Sequence, residues 1–330
     1  MRWLSVLMLI AVFQVASAAQ TQAAGPPLCQ TSCATAFVPP ATAAPQPFGI
    51  TSGPRGSVWF SLDDRIGRID QQHQITAYRV RSQAAVGLMT TNPSDGSVWF
   101  AERGVIPCCG SRVGRIKADG AITEFSLPTP NALPQGIVFA PDGNLYISEQ
   151  FANAIARLNP TTGQAIDFPL PTPNSGPQGG ALGSDGAIWF VERPAAKVGR
   201  MTLDGHFTEY ALAPGAFPNR IVAGPDGALW FTELRAGKIG RITTNGVLTE
   251  FPIAGGPVGI AAGKDGQLYV DLFLAPGIDR INANGMITGH WDLPGARGPL
   301  LLATGFGLDI WVSDPAAHKL FRVTPYDVGR

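Results

Sequence analysis

A short aromatic motif recurs seven times along the chain at nearly constant spacing. Each copy is an apolar run, and most copies follow an Asp-Gly pair, as in DGAIWFVE and DGALWFTE. The aromatic residues of the seven copies are Trp59, Trp99, Tyr146, Trp189, Trp230, Tyr269 and Trp311. They lie 39 to 47 residues apart, and a period of about 42 residues is typical of the blades of a β-propeller.

Each repeat divides into four strand-like runs. The first follows a proline, the second holds the aromatic residue, the third carries an arginine, and the fourth alternates in polarity. Asp-Gly and Asn-Gly pairs between short runs indicate antiparallel hairpins. The sequence therefore predicts an all-β domain over residues 35–330, a seven-bladed β-propeller with four antiparallel strands per blade. A helical solenoid is disfavoured, because apolar residues lack a 3.6-residue spacing and 40 glycines and 29 prolines interrupt the chain.

The two ends of the repeat region complement each other. The last repeat stops after its third run, at residues 321–323, and residues 35–38 form an isolated run ahead of the first repeat. We expect residues 35–38 to be the outer strand of the seventh blade. Such pairing hides an open sheet edge, so we expect a monomer.

The N-terminus has the pattern of a secretory signal peptide. Arg2 precedes an apolar run over residues 4–15, and Ala16-Ser17-Ala18 supplies the small residues of a cleavage site. We assign residues 1–18 to this signal, with an uncleaved membrane anchor as the alternative, and expect a secreted or periplasmic protein. No other apolar run approaches the length of a membrane span.

Four cysteines fit an oxidising compartment. Cys29 and Cys33 lie in an N-terminal segment, residues 19–34, and Cys108 and Cys109 are adjacent in the second repeat. We predict disulfides that join the first pair to the second. A zinc site is the alternative, although two adjacent cysteines are poorly spaced for one.

Composition excludes several classes of function. The chain has 24 Lys and Arg against 24 Asp and Glu, so its formal net charge is zero. This balance argues against a nucleic-acid partner. The sequence also lacks the H-E-x-x-H, G-x-S-x-G and phosphate-loop motifs of metalloproteases, serine hydrolases and nucleotide-binding proteins.

Propeller topology brings two residue positions of each repeat to one face. The first is the residue after the blade-opening proline, or its equivalent in the second repeat. Its members are Phe48, Val86, Gln135, Gln178, Asn219, Val258 and Leu300. The other position lies three residues after the aromatic residue, and its members are Leu62, Glu102, Glu149, Glu192, Glu233, Leu272 and Asp314. We expect both sets to surround the mouth of the central channel.

Candidate site residues come from these sets and from departures from the repeat. Glu192 and Glu233 are candidate general acids or bases. The candidate ligand-binding residues are Gln135, Gln178, Asn219, Arg220 and Glu149. The candidate metal ligands are Glu102, Asp271 and Asp314. Because four glutamates recur at one repeat position, a blade-stabilising role is favoured for each. We expect the repeated tryptophans to pack between blades, and of the four histidines only His318 to approach the functional face.

The repeats resemble those of the virginiamycin B lyase family, also called streptogramin B lyases. The resemblance rests on GPDGALWFTE, KIGRITTNGVLTEFPI and LPTPNSGPQGGALGSDGAIWFVE, and it extends over nearly all of the chain after about residue 35. It implies a seven-bladed propeller that opens a cyclic depsipeptide antibiotic at its ester by elimination, with Mg2+ and a histidine base. In that family the histidine directly follows a blade-opening proline, and a metal-binding glutamate lies just before that proline. Neither residue type occupies those positions here.

Three functions remain open from the sequence. The first is a metal-assisted lyase, with Mg2+ as a possible cofactor, that acts on a small cyclic peptide or ester. The second is a non-catalytic propeller that binds a small ligand or a protein. The third is a calcium-dependent lactonase of the propeller type, with Asn219, Asp271 and Glu233 as ligands.

Overall fold

The predicted ring of sheets is present in the computed structural model of the chain, which describes residues 27–30, 33–39, 46–103 and 111–326. Within these residues the chain forms seven antiparallel sheets of four strands each. In each sheet the innermost strand contacts the innermost strands of the neighbouring sheets. The seven-bladed β-propeller is therefore confirmed.

The strands follow the repeat. Strand β1, Ala34–Phe37, precedes the first complete blade. Blades 1 and 2 consist of β2 (Pro47–Ser52), β3 (Val58–Leu62), β4 (Arg65–Ile69), β5 (Ile75–Arg79), β6 (Val86–Thr91), β7 (Val98–Glu102), β8 (Arg112–Ile116) and β9 (Ile122–Ser126). Blades 3 and 4 consist of β10 (Pro134–Phe139), β11 (Leu145–Glu149), β12 (Ala154–Leu158), β13 (Ala165–Pro169), β14 (Pro177–Leu182), β15 (Ile188–Glu192), β16 (Lys197–Met201) and β17 (Phe207–Ala211). Blades 5 and 6 consist of β18 (Pro218–Ala223), β19 (Leu229–Glu233), β20 (Lys238–Ile242), β21 (Leu248–Pro252), β22 (Pro257–Ala262), β23 (Leu268–Leu272), β24 (Gly277–Ile281) and β25 (Ile287–Asp292). Blade 7 adds β26 (Leu301–Thr304), β27 (Ile310–Asp314) and β28 (Lys319–Val323).

Strand β1 completes the last blade. It pairs antiparallel with β28, from Ala34 opposite Val323 to Phe37 opposite Leu320. The Phe37 ring lies 5.0 Å from the Trp311 ring of the same blade. The predicted closure by residues 35–38 is thus confirmed, and the outer edge of β28 is paired rather than open.

Three side chains explain why Asp, Trp and Arg recur at fixed spacing. In blade 5 the indole Nε1 of Trp230 donates to Asp226 Oδ1 at 3.0 Å, and Arg241 Nε donates to Asp226 Oδ2 at 2.6 Å. The Arg241 guanidinium also lies 5.9 Å from the Trp230 ring. Blade 4 repeats the same arrangement with other residues. The turn aspartate therefore holds the second and third strands of a blade together.

The tryptophans pack between blades, as the sequence predicts. Trp230 is fully buried and belongs to one apolar cluster with Leu268 and Val270 of the next blade. On its other side it stacks on Phe251 of its own outer strand at 5.6 Å. Burial of such a ring removes a large apolar area from water, so the contacts of Trp230 with Leu268 and Val270 join two neighbouring sheets.

Glycines let the inner strands approach each other closely around the axis. A Cβ atom added to Gly49 would overlap the carbonyl oxygen of Gly87 in the next blade, and one added to Gly136 would overlap that of Gly179. Both obstacles are backbone atoms, which cannot rotate away. The inner strands of neighbouring blades therefore lie close together around a narrow central channel.

The cysteine prediction is wrong for the pair that the structure describes. Cys29 and Cys33 are bonded to each other, with their Cα atoms 5.9 Å apart. This separation suits a direct bridge, and both residues lie at the outer edge of the ring, beside β1. Cys108 and Cys109 lie outside the described residues, as do residues 1–18. No helix among the described residues has both the length and the apolar character that crossing a bilayer requires.

Substitution of Gly136 by alanine is expected to destabilise the ring, since the new methyl group would meet the Gly179 carbonyl. We expect a loss of more than about 2 kcal/mol in the free energy of unfolding, measured by urea denaturation. Gly143→Ala is the control, because a Cβ there meets open space and costs only the strain of a positive φ of 78°, about 1 kcal/mol. Equal losses for the two variants would contradict the close approach of the inner strands.

Candidate functional site

A cavity of about 320 Å³ lies at one end of the central channel. Six members of the first predicted ring line it: Phe48, Gln135, Gln178, Asn219, Val258 and Leu300. Their position follows from the strand register. The opening proline of a blade pairs with the last residue of the second strand, as Pro134 pairs with Glu149, and the next side chain then faces the axis. The predicted placement of these six residues at the mouth is confirmed.

Blade 2 departs from the prediction by one residue. Val86 pairs with Glu102 just as Pro134 pairs with Glu149, so Val86 takes the place of the missing proline. Gly87 therefore occupies the axial position and presents no side chain. The space is used by Arg103, whose Cγ would lie 2.6 Å from a Cβ on Gly87.

The second predicted ring does not line the mouth. Glu149, Glu192 and Glu233 are each 0% exposed and lie outside the cavity lining. The cavity is lined instead by the next residue of the same segments: Arg103, Gln150, Arg193, Leu234 and Phe273. Successive side chains of a strand point in opposite directions, and this alternation is the signal that could have identified these residues from the sequence.

Three arginines give the cavity a positive lining: Arg103, Arg193 and Arg220. Their Nε atoms are buried and have no hydrogen-bond partner within the described part of the chain, and none of the three forms an ion pair there. The Arg103 guanidinium lies 4.5 Å from the Phe48 ring, and that of Arg193 lies 4.9 Å from the Phe217 ring. Aromatic faces thus hold two of the three groups in place.

The arginines also destabilise one another's charge. Burial and then the neighbouring charge of Arg193 lower the pKa of Arg220 to about 9. Burial and then the charge of Arg235 lower the pKa of Arg193 to about 10. Arg220 is enclosed by protein but keeps part of its surface on the cavity. All three groups remain cations at neutral pH.

Amides complete the polar part of the lining. Gln135 Nε2 donates to Gln150 Oε1 at 3.2 Å, and Asn219 Nδ2 donates to the Val258 carbonyl oxygen at 3.1 Å. The structure therefore brings together four of the five predicted ligand-binding residues: Gln135, Gln178, Asn219 and Arg220. The fifth, Glu149, is buried within its blade.

Each recurrent glutamate faces an acidic residue of its own outer strand. In blade 4, Glu192 Oε1 lies over Gly199, which pairs with Glu209. Burial and then the charge of Glu209 raise the pKa of Glu192 to about 7. Burial and then Asp167 raise the pKa of Glu149 to about 8.

Blade 5 repeats the arrangement. Burial and then Glu250 raise the pKa of Glu233 to about 7. In blades 4 and 5 the outer acid is paired with a lysine: Lys197 Nζ lies 2.6 Å from Glu209 Oε2, and Lys238 Nζ lies 2.5 Å from Glu250 Oε2. The candidate acids and bases Glu192 and Glu233 are themselves fully buried within their blades and do not line the cavity.

The predicted metal ligands are used by the fold. Glu102 Oε2 accepts a hydrogen bond from Ser82 Oγ at 2.7 Å. Asp271 Oδ1 accepts from the Gly259 amide at 2.8 Å, the role that Ser148 Oγ has in blade 3. Burial raises the pKa of Asp271 to about 7. Asp314 Oδ2 accepts from the Arg297 amide at 2.7 Å.

These residues do not fit Mg2+. They belong to blades 2, 6 and 7, and the described residues contain no group of three or more His, Cys, Asp or Glu side chains that could hold a metal ion. Among the described residues the cavity lining offers amide oxygens but no carboxylate, and three guanidinium groups would repel a divalent cation. The calcium set of Asn219, Asp271 and Glu233 is likewise not assembled, because only Asn219 lines the cavity.

No histidine lines the cavity within the described part of the chain. His73 lies 5.5 Å from Phe37 at the closing blade, His206 pairs with Asp204 in an exposed turn, and His290 Nδ1 lies 2.6 Å from Asp279 Oδ1. His318 lies in the connection between β27 and β28. Among the residues that the structure describes, the mouth therefore has no imidazole to act as a base.

Comparison with known proteins identifies the family. The sequence profile of the virginiamycin B lyase family matches residues 28–161, 105–214 and 160–328. The chain belongs to the virginiamycin B lyase family. A virginiamycin B lyase of Nocardia farcinica (strain IFM 10152) is 32% identical over 124 residues, which cover 36% of this chain and 41% of that protein. The match thus spans less than half of that relative's length.

Solved structures of the virginiamycin B lyase family are similar over most of the chain. A streptogramin B lyase structure is 31% identical, with a TM-score of 0.82, and the match covers 88% of this chain and 97% of that one. A catalytically inactive histidine-to-alanine variant of the Staphylococcus aureus virginiamycin B lyase, solved with quinupristin, is 32% identical with a TM-score of 0.81. That match covers 88% of this chain and 98% of the S. aureus chain.

Because the pKa values of the buried acids are raised, we expect the free energy of unfolding to fall as the pH rises. Glu149, Glu192, Glu233 and Asp271 have folded-state pKa values of about 7 to 8, above their ordinary values near 4. Between about pH 4.5 and pH 8 the folded chain therefore binds more protons than the unfolded chain. This stabilisation is complete below the ordinary pKa and is lost as the pH rises through the raised values.

The test is urea denaturation of the wild type and of Glu149→Gln between pH 5 and pH 8.5. The free energy of unfolding of the wild type should fall over this range, by about 1.4 kcal/mol per pH unit for each proton that the chain releases on unfolding. Glu149→Gln should show a shallower slope, because glutamine cannot ionise. Asp119→Asn serves as the control, because it removes a carboxylate from an exposed turn, away from the buried acids. Parallel slopes for Glu149→Gln and the wild type would contradict the assignment.

Proposed function

We propose that the chain is a small-molecule-binding propeller of the virginiamycin B lyase family that does not use the family's elimination chemistry. The observation that carries the proposal is the cavity at the mouth, which residues of all seven blades line with amide, guanidinium and apolar side chains. Such a mixture of apolar surface with a few convergent polar groups is typical of ligand sites. A cavity of about 320 Å³ suits a compact organic molecule.

The lining supports binding over catalysis. Elimination requires a base within hydrogen-bond reach of the proton that leaves the carbon. Arginine is protonated at neutral pH and donates protons in hydrogen bonds rather than accepting them. The carboxyl groups with pKa values near neutrality, Glu192 and Glu233, are suited to acid-base work by their titration, but they are enclosed within blades 4 and 5.

The relatives support a second candidate function, a lyase acting on a cyclic peptide or ester. The inactive S. aureus enzyme was solved with quinupristin, and its fold matches this chain over 88% of its length. Elimination here would require a base other than the histidine of that enzyme. Metal assistance by Mg2+ would require a donor set other than Glu102, Asp271 and Asp314. Lactonase activity has less support, because the candidate calcium ligands Asn219, Asp271 and Glu233 are not brought together within the described part of the chain. A protein ligand remains an alternative occupant of the same mouth.

Export is part of the proposal. The Cys29–Cys33 disulfide fits a protein that matures in an oxidising compartment, and the signal-like residues 1–18 are consistent with it. We propose a secreted or periplasmic location.

The first test asks whether a family substrate is opened. The chain from residue 19 is incubated with quinupristin in Mg2+ or in chelator, and the products are followed by mass spectrometry. We expect no product in either condition. A linear product of unchanged mass, lost with chelator, would contradict the proposal and establish metal-assisted elimination. A product heavier by one water would instead indicate an esterase or lactonase.

The second test asks whether the cavity binds small molecules. A fragment collection is screened by ligand-observed NMR against the wild type and Leu300→Trp, whose larger side chain would fill the cavity. Phe306→Trp is the control, since Phe306 is 58% exposed at the opposite end of blade 7. Fragments should bind the wild type and the control but not Leu300→Trp. Binding that Leu300→Trp leaves unchanged would place the ligand elsewhere.

A further inference from the structure

The cavity lining is divided into two sectors. The polar sector comprises blades 2 to 5 and presents Arg103, Gln135, Gln150, Gln178, Arg193, Asn219 and Arg220. The apolar sector comprises blades 5, 6, 7 and 1 and presents Leu234, Val258, Phe273, Leu300 and Phe48. A ligand that contacts the whole lining must therefore be polar at one end and apolar at the other.

The polar sector contains positive charge without a matching negative charge. The chain as a whole is neutral, yet three arginines converge here without an ion pair among the described residues. Among the described acids, Asp271 has an electrostatic effect on Arg220, and burial raises the pKa of this aspartate to about 7. It therefore offsets only part of the charge.

Placing these cations together has a free-energy cost in the absence of a ligand. Partly buried like charges repel each other more strongly than they would in water, and buried guanidinium nitrogens without partners lose hydrogen bonds that water would supply. An oxyanion in the cavity would offset both costs. Guanidinium groups bind carboxylates and phosphates through paired, charge-assisted hydrogen bonds.

We infer that the cavity binds a small organic anion, with its carboxylate or phosphate against Arg103, Arg193 and Arg220 and its apolar body against Phe273, Leu300 and Val258. The inference rests on the proposed binding function of the same cavity and specifies its ligand class. The amides of Gln135, Gln178 and Asn219 flank the position of the oxyanion. Leu234 and Phe273 complete the apolar lining, and Phe273 is 41% exposed.

The test compares matched ligands by calorimetric or NMR titration of the chain from residue 19. Benzoate and phenyl phosphate share an aromatic body and differ in the oxyanion, benzamide is a neutral analogue of benzoate, and inorganic phosphate lacks the body. We expect at least one aromatic anion to bind about tenfold or more tightly than benzamide. The ratio of benzoate to phenyl phosphate affinity then distinguishes a carboxylate ligand from a phosphate ligand.

Variants assign the effect to the cavity. Arg220→Gln and Arg193→Gln should each weaken binding of the aromatic anion about tenfold or more. Arg81→Gln removes the same charge from an exposed position in the connection between β5 and β6 and should leave the affinity unchanged. Because relief of repulsion is expected to raise the Tm of Arg220→Gln without ligand, a lost affinity together with an unchanged or raised Tm excludes unfolding as the cause.

The other outcomes separate the two proposals. Equal binding of benzoate and benzamide, unaffected by Arg220→Gln, would overturn the anion inference and leave the binding function intact. Inorganic phosphate binding as tightly as phenyl phosphate would overturn the role of the apolar sector. Absence of binding by every ligand of the series would overturn the anion inference, and the proposed function itself would fall only if the fragment screen also finds no ligand.

Discussion

Pairing of β1 with β28 closes the ring, and the geometry of the mouth depends on this closure. A sheet that ended at β28 would leave an unpaired edge in blade 7, next to the interface with blade 1. With Ala34–Phe37 in place, Phe37 covers Trp311, and the apolar cluster between blades 7 and 1 is complete. The seven inner strands are then held around one axis, which is why side chains distant in sequence converge on a single cavity.

The fold follows from the sequence because its signals are local and repeated. The Asp-Gly turn, the aromatic residue four positions after its aspartate, and the arginine of the third strand form one hydrogen-bonded group, as Asp226, Trp230 and Arg241 show. A contact that recurs in several blades leaves a periodic trace in the sequence. The first ring at the mouth is equally predictable, because the blade-opening proline fixes its register.

The rest of the site depends on features that do not repeat. The predicted ring of carboxylates lies one residue away from the true lining, and a shift of one residue moves a strand side chain to the other face. Arg103 and Arg193 were missed for this reason. Val86 was misplaced because blade 2 lacks the proline that marks the register elsewhere. The bond between Cys29 and Cys33 could not be chosen from sequence, since four cysteines permit three pairings.

At the end of the second strand in blades 2 to 6, a buried residue is followed by a residue that lines the cavity. This separation affects how the binding site of such a protein can evolve. The glutamates that end the second strands, such as Glu149 and Glu192, are buried inside the blades, whereas the cavity residues next to them, Gln150 and Arg193, project from the first position of a connection. Replacing a cavity residue therefore leaves the internal contacts of its blade untouched. New recognition groups can be acquired at these positions without loss of the buried strand ends inside the blades, so ligand preference in this scaffold can diverge during evolution while the architecture is inherited intact.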